Sequence, residues 1–169
     1  MRKTLLLLLS LWLFIPVFFL FESCFKKDSG CNYQKNISVA SVTDQQNLQK
    51  YLDSAGINAT LDSDGFYYQI ISSGSGTPPD VCSVITVTYT GQLTNGNVFD
   101  QETNQLYTLG GLIAGWQQGL PLISKGGVIK LYIPPSLGYG NTAQDGKNGN
   151  VAIPANSILI FNIDLINVQ

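Results

Sequence analysis

The spacing of apolar and polar positions changes several times along this chain, and each change marks a part. The first apolar block, residues 5–21, has no period. It is a run of Leu, Phe, Ile, Val and Trp broken by Ser10 and Pro16, behind a basic start of Arg2 and Lys3. Such a block behind positive charge reads as a secretory signal over residues 1–23. It lies near the lower length for a bilayer-spanning helix, so a retained anchor is the alternative. Residues 24–41 are mostly polar and without period, and read as a tether. At residue 42 the period becomes helical. Leu48, Tyr51, Leu52 and Ala55 fall at i, i+3, i+4 and i+7, which predicts a helix over 42–55. Ser41 or Thr43 caps its start, and Gly56 suits the position after its end. So short a helix is expected to cover its own domain, with a contact between copies as the alternative.

Beyond this helical segment of residues 42–64 the period is mostly two, over a domain spanning 65–169. Strands are expected at 65–71, 82–93, 127–133 and 158–168, with a short one at 107–109 and extended chain at 98–99 after the Asn95-Gly96 turn. The stretch 113–122 carries the domain's own helix, with Trp116 and Leu120 four apart. Loops at 72–79 and 134–154 are rich in Gly, Ser, Pro and Asn. About five antiparallel strands and one internal helix define an α+β fold.

Composition narrows the chemistry. Of 169 residues 44% are hydrophobic and 12% charged, which excludes an extended disordered chain. A net charge of −2 argues against a dedicated nucleic-acid binder. The chain has no histidine, so Ser-His-Asp and Cys-His catalysis and every His-based metal site are excluded. The three cysteines are too few for a Cys-only zinc site. Acidic turns at 62–65 and 145–150 begin like calcium loops but lack the closing acid, and read as solvated turns. No cofactor is expected.

Phe21-Glu22-Ser23-Cys24 is similar to a bacterial lipobox, with Phe21 and Glu22 as departures. Lipid on Cys24 is the expectation, and cleavage without lipid or no cleavage are the alternatives. Two acyl chains there would hold the protein on a membrane. Cys31 and Cys82 then remain as a pair. In an oxidising compartment they either bridge or stay free thiols, and the bridge is the expectation.

Five phrases run through the domain in order. They are Val87-Thr88-Tyr89-Thr90-Gly91, Val98-Phe99-Asp100, Leu112-Ile113-Ala114-Gly115-Trp116, residues 131–140 with Pro134-Pro135 and Tyr139, and residues 153–161 ending in Phe161. In order and spacing they resemble the FKBP-type peptidyl-prolyl cis-trans isomerases, including envelope lipoprotein members, over residues 65–169. The resemblance implies a bent antiparallel sheet wrapped around one short helix, with a shallow aromatic pocket for proline. Trp116 matches the pocket floor. Tyr89, Phe99 and Phe161 match its aromatic walls. Leu112 and Ile113 match the aliphatic pair before the helix, with the Ile113 N–H meeting a substrate carbonyl. Tyr139 matches a hydroxyl donor, Asp100 the one acid, and Ile153 an apolar residue across the long loop. The stretch between Asp100 and Tyr107 is shorter than the family's loop. It lacks the arginine that pairs with the aspartate, and Gln105 stands where an aromatic is common.

The resemblance implies rotation about X-Pro bonds in exported polypeptides at the cell envelope, facing periplasm or cell surface, with macrolide-type inhibitors as possible ligands. Such rotation makes and breaks no bond to hydrogen, so a chain without histidine is equipped for it. A proline-peptide-binding or chaperone module without turnover is the alternative. Any one of these aromatics, taken singly, reads as core. Together with a carboxylate among apolar side chains they read as a site, because an acid there needs a partner.

Overall fold

The computed structural model describes residues 30–146 and 152–169. Helix α1 spans Val42–Ser54, and six strands follow: β1 Thr60–Leu61, β2 Tyr67–Ser72, β3 Val84–Leu93, β4 Val98–Thr108, β5 Gly127–Ile133 and β6 Leu159–Val168. They form one sheet in the order β1-β2-β5-β6-β3-β4, with every pairing antiparallel. Helix α2, Ala114–Gly119, lies between β4 and β5 and tightens into a 3₁₀ turn at Leu120–Leu122. The fold is α+β.

The alternation along β6 explains how both sheet faces are used. Leu159, Phe161, Ile163 and Leu165 point into a main core with Ile85, Val87, Trp116, Ile129 and Leu131. Ile160 points the other way, into a second cluster with Tyr67 and Tyr132, which Leu48 and Leu52 of α1 cover. Strand residues of opposite parity therefore feed two layers, and α1 seals the layer away from α2. Ser41 caps α1 through Oγ, accepting from the Asp44 N–H at 3.1 Å, and Gly56 follows at φ +65°.

Two features differ from the pattern reading. Extended chain at 98–99 and a short strand at 107–109 are in fact the two ends of one strand, β4. β4 is the sheet's edge and pairs only with β3. Its middle residues, Gln101 to Leu106, face mostly solvent, so no buried alternation marks them as strand. An irregularity opposite Val87 and Tyr89, with Asn104 at φ +53°, takes up the extra length. The two-residue β1 was also missed, since both its side chains are exposed.

The described part of the polar segment before α1 lies on the domain. Cys31 is disulfide-bonded to Cys82, with Cα atoms 5.6 Å apart. The Gln118 side chain donates to the Ser38 carbonyl at 2.7 Å, and the Ala40 N–H donates to the Asp64 carbonyl at 2.8 Å. Ala40 itself is buried in the main core. A covalent link and backbone hydrogen bonds hold this segment, and neither leaves a hydrophobic pattern to read. The signal and Cys24 lie outside the described residues. Among the described residues no helix is long and apolar enough to cross a membrane, and no group of three or more acidic or cysteine ligands is poised for a metal.

Candidate active site

Helix α2 can approach the sheet because two of its residues lack a Cβ. A methyl on Gly115 would stand 2.6 Å from the Ile133 side chain, and one on Gly119 would stand 2.7 Å from Leu131. This close approach drops Trp116 onto the main core with 4% of its surface exposed. Strand β3 brings Tyr89 and β6 brings Phe161 to the indole. Tyr89 meets Trp116 edge-on at 5.1 Å between centroids, and Phe161 does the same at 5.2 Å. Phe99, from β4, stacks edge-to-face on Phe161 at 5.4 Å. Such T-shaped contacts suit the opposed charge of ring faces and edges, at about 0.5–1.5 kcal/mol each beyond burial.

Gly91 sits where these walls converge. It pairs with Asp100 on β4 and with Phe161 on β6. A Cβ there would lie 2.6 Å from the Phe99 ring and 2.8 Å from Phe161. The glycine of the Tyr-Thr-Gly phrase is thus the space into which both rings close.

The result is an open cleft of ≈ 130 Å³, lined by Tyr89, Phe99, Asp100, Tyr107, Leu112, Ile113, Trp116, Tyr139 and Phe161. Drug-sized ligand cavities run to about 300–1,000 Å³, so this one suits a single ring-sized group. Its polar atoms form a chain. The Tyr89 hydroxyl donates to Asp100 Oδ2 at 2.8 Å. The Tyr107 hydroxyl is 3.3 Å from that of Tyr89. Tyr89 has one hydroxyl proton and Asp100 takes it, so Tyr107 is the donor in the second bond. Burial first, and then the hydrogen bond to Asp100 and that carboxylate's charge, push the Tyr89 hydroxyl well above the ordinary tyrosine value. Burial first, and then the charge of Asp100, also push Tyr139 up. Both stay protonated donors at any ordinary pH. Among the described residues the Ile113 N–H donates to no backbone carbonyl, because Ile113 precedes the first turn of α2.

Eight sequence-selected residues therefore meet in one cleft: Tyr89, Phe99, Asp100, Leu112, Ile113, Trp116, Tyr139 and Phe161. Ile153 does not line it. Ile153 is buried in the main core and forms an isolated antiparallel bridge with Gln144, closing the long loop at its neck. Tyr107 was overlooked as a site residue. In the register of β3 and β4 it faces Ile85 and so shares the side that Tyr89 uses, a pairing that the solvent-facing middle of β4 does not announce. Gln105 is exposed and plays no part in the lining.

An antiparallel sheet with a short helix over one face, and an aromatic cleft at that helix's start, defines an FKBP-like α+β domain. The model for the FKBP-type peptidyl-prolyl cis-trans isomerases matches residues 76–166, and the chain belongs to that family. FkpA, an FKBP-type isomerase of Escherichia coli K12, is 33% identical over 153 residues, covering 88% of this chain and 54% of the relative. FkpA of Buchnera aphidicola from Baizongia pistaciae is 45% identical over 111 residues, 63% of this chain and 42% of the relative. The chain spans about half the length of these relatives. Among solved structures, E. coli FkpA superposes with a TM-score of 0.63 at 34% identity, over 75% of this chain and 60% of that one. AtFKBP13 superposes at 0.59 and 30% identity, over 66% of this chain and 99% of its own.

Proposed function

We propose that the chain catalyses cis-trans rotation about X-Pro peptide bonds in exported proteins and so assists their folding. The observation that carries this is the cleft itself: three interlocked aromatic rings around a tryptophan, with protonated hydroxyls and a single carboxylate at the rim.

The uncatalysed rotation faces a barrier of about 18–20 kcal/mol, set by amide resonance. At the top of the barrier the amide is twisted and has lost much of its charge separation. A dry aromatic surface holds that state better than the planar, more polar ground state, which is stabilisation of the transition state alone. Trp116 takes the face of the proline ring, and Tyr89, Phe99 and Phe161 exclude water around it. The Ile113 N–H and the Tyr139 hydroxyl hold substrate carbonyls in register, which fixes the rotating bond. Asp100 holds Tyr89 in place through the 2.8 Å bond and transfers no proton. Leu112 borders the residue before proline. The same pocket would take a ring-sized group of a macrolide inhibitor.

The envelope is the place of action in this reading, with Cys24 lipidated and the chain held on a membrane by that anchor. Support comes from the apolar run before Ser23-Cys24 and from the Cys31–Cys82 disulfide, which belongs to an oxidising compartment. Mass analysis of the mature N-terminus tests the anchor, and an unmodified cysteine would reject it. A protease-coupled assay on a short X-Pro peptide tests the activity. Turnover no faster than the spontaneous rate, with peptide still bound, would reject the enzyme and leave a binding module.

A further inference from the structure

We propose that Tyr33, seated by the Cys31–Cys82 disulfide, is a positioning residue for the Leu112 and Ile113 wall of the cleft. The segment before α1 would then complete the peptide-binding site. The proposal rests on the isomerase reading for its kinetic consequence but not for its structural one.

The wall hangs on an unusual piece of chain. Between the end of β4 and the start of α2 lies a single 3₁₀ turn, Leu109–Gly111, containing two successive glycines. Glycine loses more backbone freedom on ordering than any other residue, so this pair is expensive to hold still. One side of the turn is tied to residues next to the disulfide. The Leu109 N–H donates to the Ser83 carbonyl at 3.1 Å, and the Gly110 N–H to the Val81 carbonyl at 2.8 Å. Another side is tied to α2, where the Gln117 side chain donates to the carbonyls of Gly110 at 3.1 Å and Leu112 at 2.7 Å.

The outer side is covered by Tyr33. Its ring occupies the space that a Cβ on Gly110 would need, and its hydroxyl lies 3.2 Å from where a Cβ on Gly111 would stand. Neither glycine has a positive φ, so the backbone does not require them. The ring does. Cys31, two residues earlier, is bonded to Cys82, which lies between the very residues that anchor the turn. The disulfide thus joins the segment that carries Tyr33 to the residues that anchor the turn. The Tyr33 hydroxyl makes no hydrogen bond among the described residues, so the ring, rather than the phenol, is what the turn uses.

The test compares wild type, Tyr33→Ala, Tyr33→Phe, Gly110→Ala and the Tyr33→Ala/Gly110→Ala double variant, all as purified full chain. Amide hydrogen exchange is read at Gly110 and Leu112, whose N–H groups donate to Val81 and Leu109, and peptide isomerisation is read as separate kcat and KM. Tyr33→Ala should speed exchange of those amides about tenfold, because local opening becomes easier. It should raise KM about threefold with kcat within about twofold, as expected for lost ground-state positioning. Tyr33→Phe should match wild type. Gly110→Ala should reproduce Tyr33→Ala by displacing the ring, and the double variant should be no worse than either single, since both remove one contact. Unchanged exchange in Tyr33→Ala, or additive effects in the double variant, would overturn the proposal. Exchange is read without turnover, so a wild-type chain lacking isomerase activity rejects the enzyme and still leaves exchange to decide this point.

Discussion

Replacing Gly91 by alanine adds one methyl group at the convergence of the cleft's walls. The backbone tolerates the change, because Gly91 lies in β3 without a positive φ. The side chains do not. The new carbon would stand 2.6 Å from two atoms of the Phe99 ring and 2.8 Å from Phe161. Carbon contacts settle near 3.5–4.0 Å, so each ring must retreat by about 1 Å. Both rings are 4% exposed and packed on each other, so there is little free space to retreat into. Overpacking of this kind costs about 1–3 kcal/mol. Phe161 also meets Trp116 at 5.2 Å, so its displacement reaches the pocket floor. Urea denaturation of Gly91→Ala should show a lower midpoint with an unchanged slope, and peptide turnover should fall by about tenfold or more. Trimming the clash in Gly91→Ala/Phe99→Leu should recover part of the stability and little of the turnover. A midpoint and a turnover both equal to wild type would refute the claim that this glycine holds the cleft's shape.

Asp100→Ala should lower kcat/KM by about tenfold, since a hydrogen bond to a charged group contributes about 1.5–3 kcal/mol, and unchanged peptide kinetics there and in Tyr139→Phe would refute the assigned site. Tyr107→Phe removes a neutral hydrogen bond worth about 0.5–1.5 kcal/mol. In a double-mutant cycle with Asp100→Ala it should be non-additive, because Tyr89 joins the two, and strict additivity would disconnect them. The raised values of Tyr67, Tyr89, Tyr132 and Tyr139 mean that above the ordinary 10.0 the unfolded chain releases protons the folded chain keeps. Stability should be at its full value below pH 10.0 and fall as pH rises through the folded values, whereas kcat/KM should stay flat between about pH 6 and about pH 9. An alkaline rise in the melting temperature would contradict that sign. Removing the Cys31–Cys82 bond, whose partners are 51 positions apart, should cost about 4 kcal/mol in urea denaturation by chain entropy, and no change would mean the segment adds nothing to the fold.

How far the sequence disclosed this molecule depends on what each part presents to the core. Strands β3 and β6 alternate over most of their length because one face is buried, β5 is a short apolar run buried on both faces, and the limits of all three are legible to within about two residues. β4 is an edge strand with a solvent-facing middle, so the same rule is silent there. The cleft residues were legible through ordered phrases rather than through period, since Tyr89 and Phe161 look like any inward strand aromatic. Tyr107 escaped because it lies in β4, where no alternation announced which side it takes. Ile153 shows the opposite failure. The resemblance places it across the long loop from the cleft, whereas its backbone pairs with Gln144 and its side chain enters the core.

The deepest limit concerns residues 31–41, which composition marks as free chain. Composition measures how much apolar area a segment can bury, and this one buries almost none beyond Ala40. What orders it instead is a single covalent bond and a few hydrogen bonds to residues far away in sequence: Gln118 donates to its Ser38 carbonyl, and its Ala40 N–H donates to the Asp64 carbonyl. Such ordering follows from partners and not from the segment's own pattern. Once the segment is ordered it has a consequence that its composition also hides. Its one aromatic, Tyr33, falls on the two glycines that precede the cleft's aliphatic wall. A fold of this kind holds its pocket floor by burial and its pocket rim by borrowed contacts. The rim is therefore where chains of the same family have room to differ in the peptides they hold, while Trp116 and its three aromatic neighbours, locked by mutual packing, have almost none.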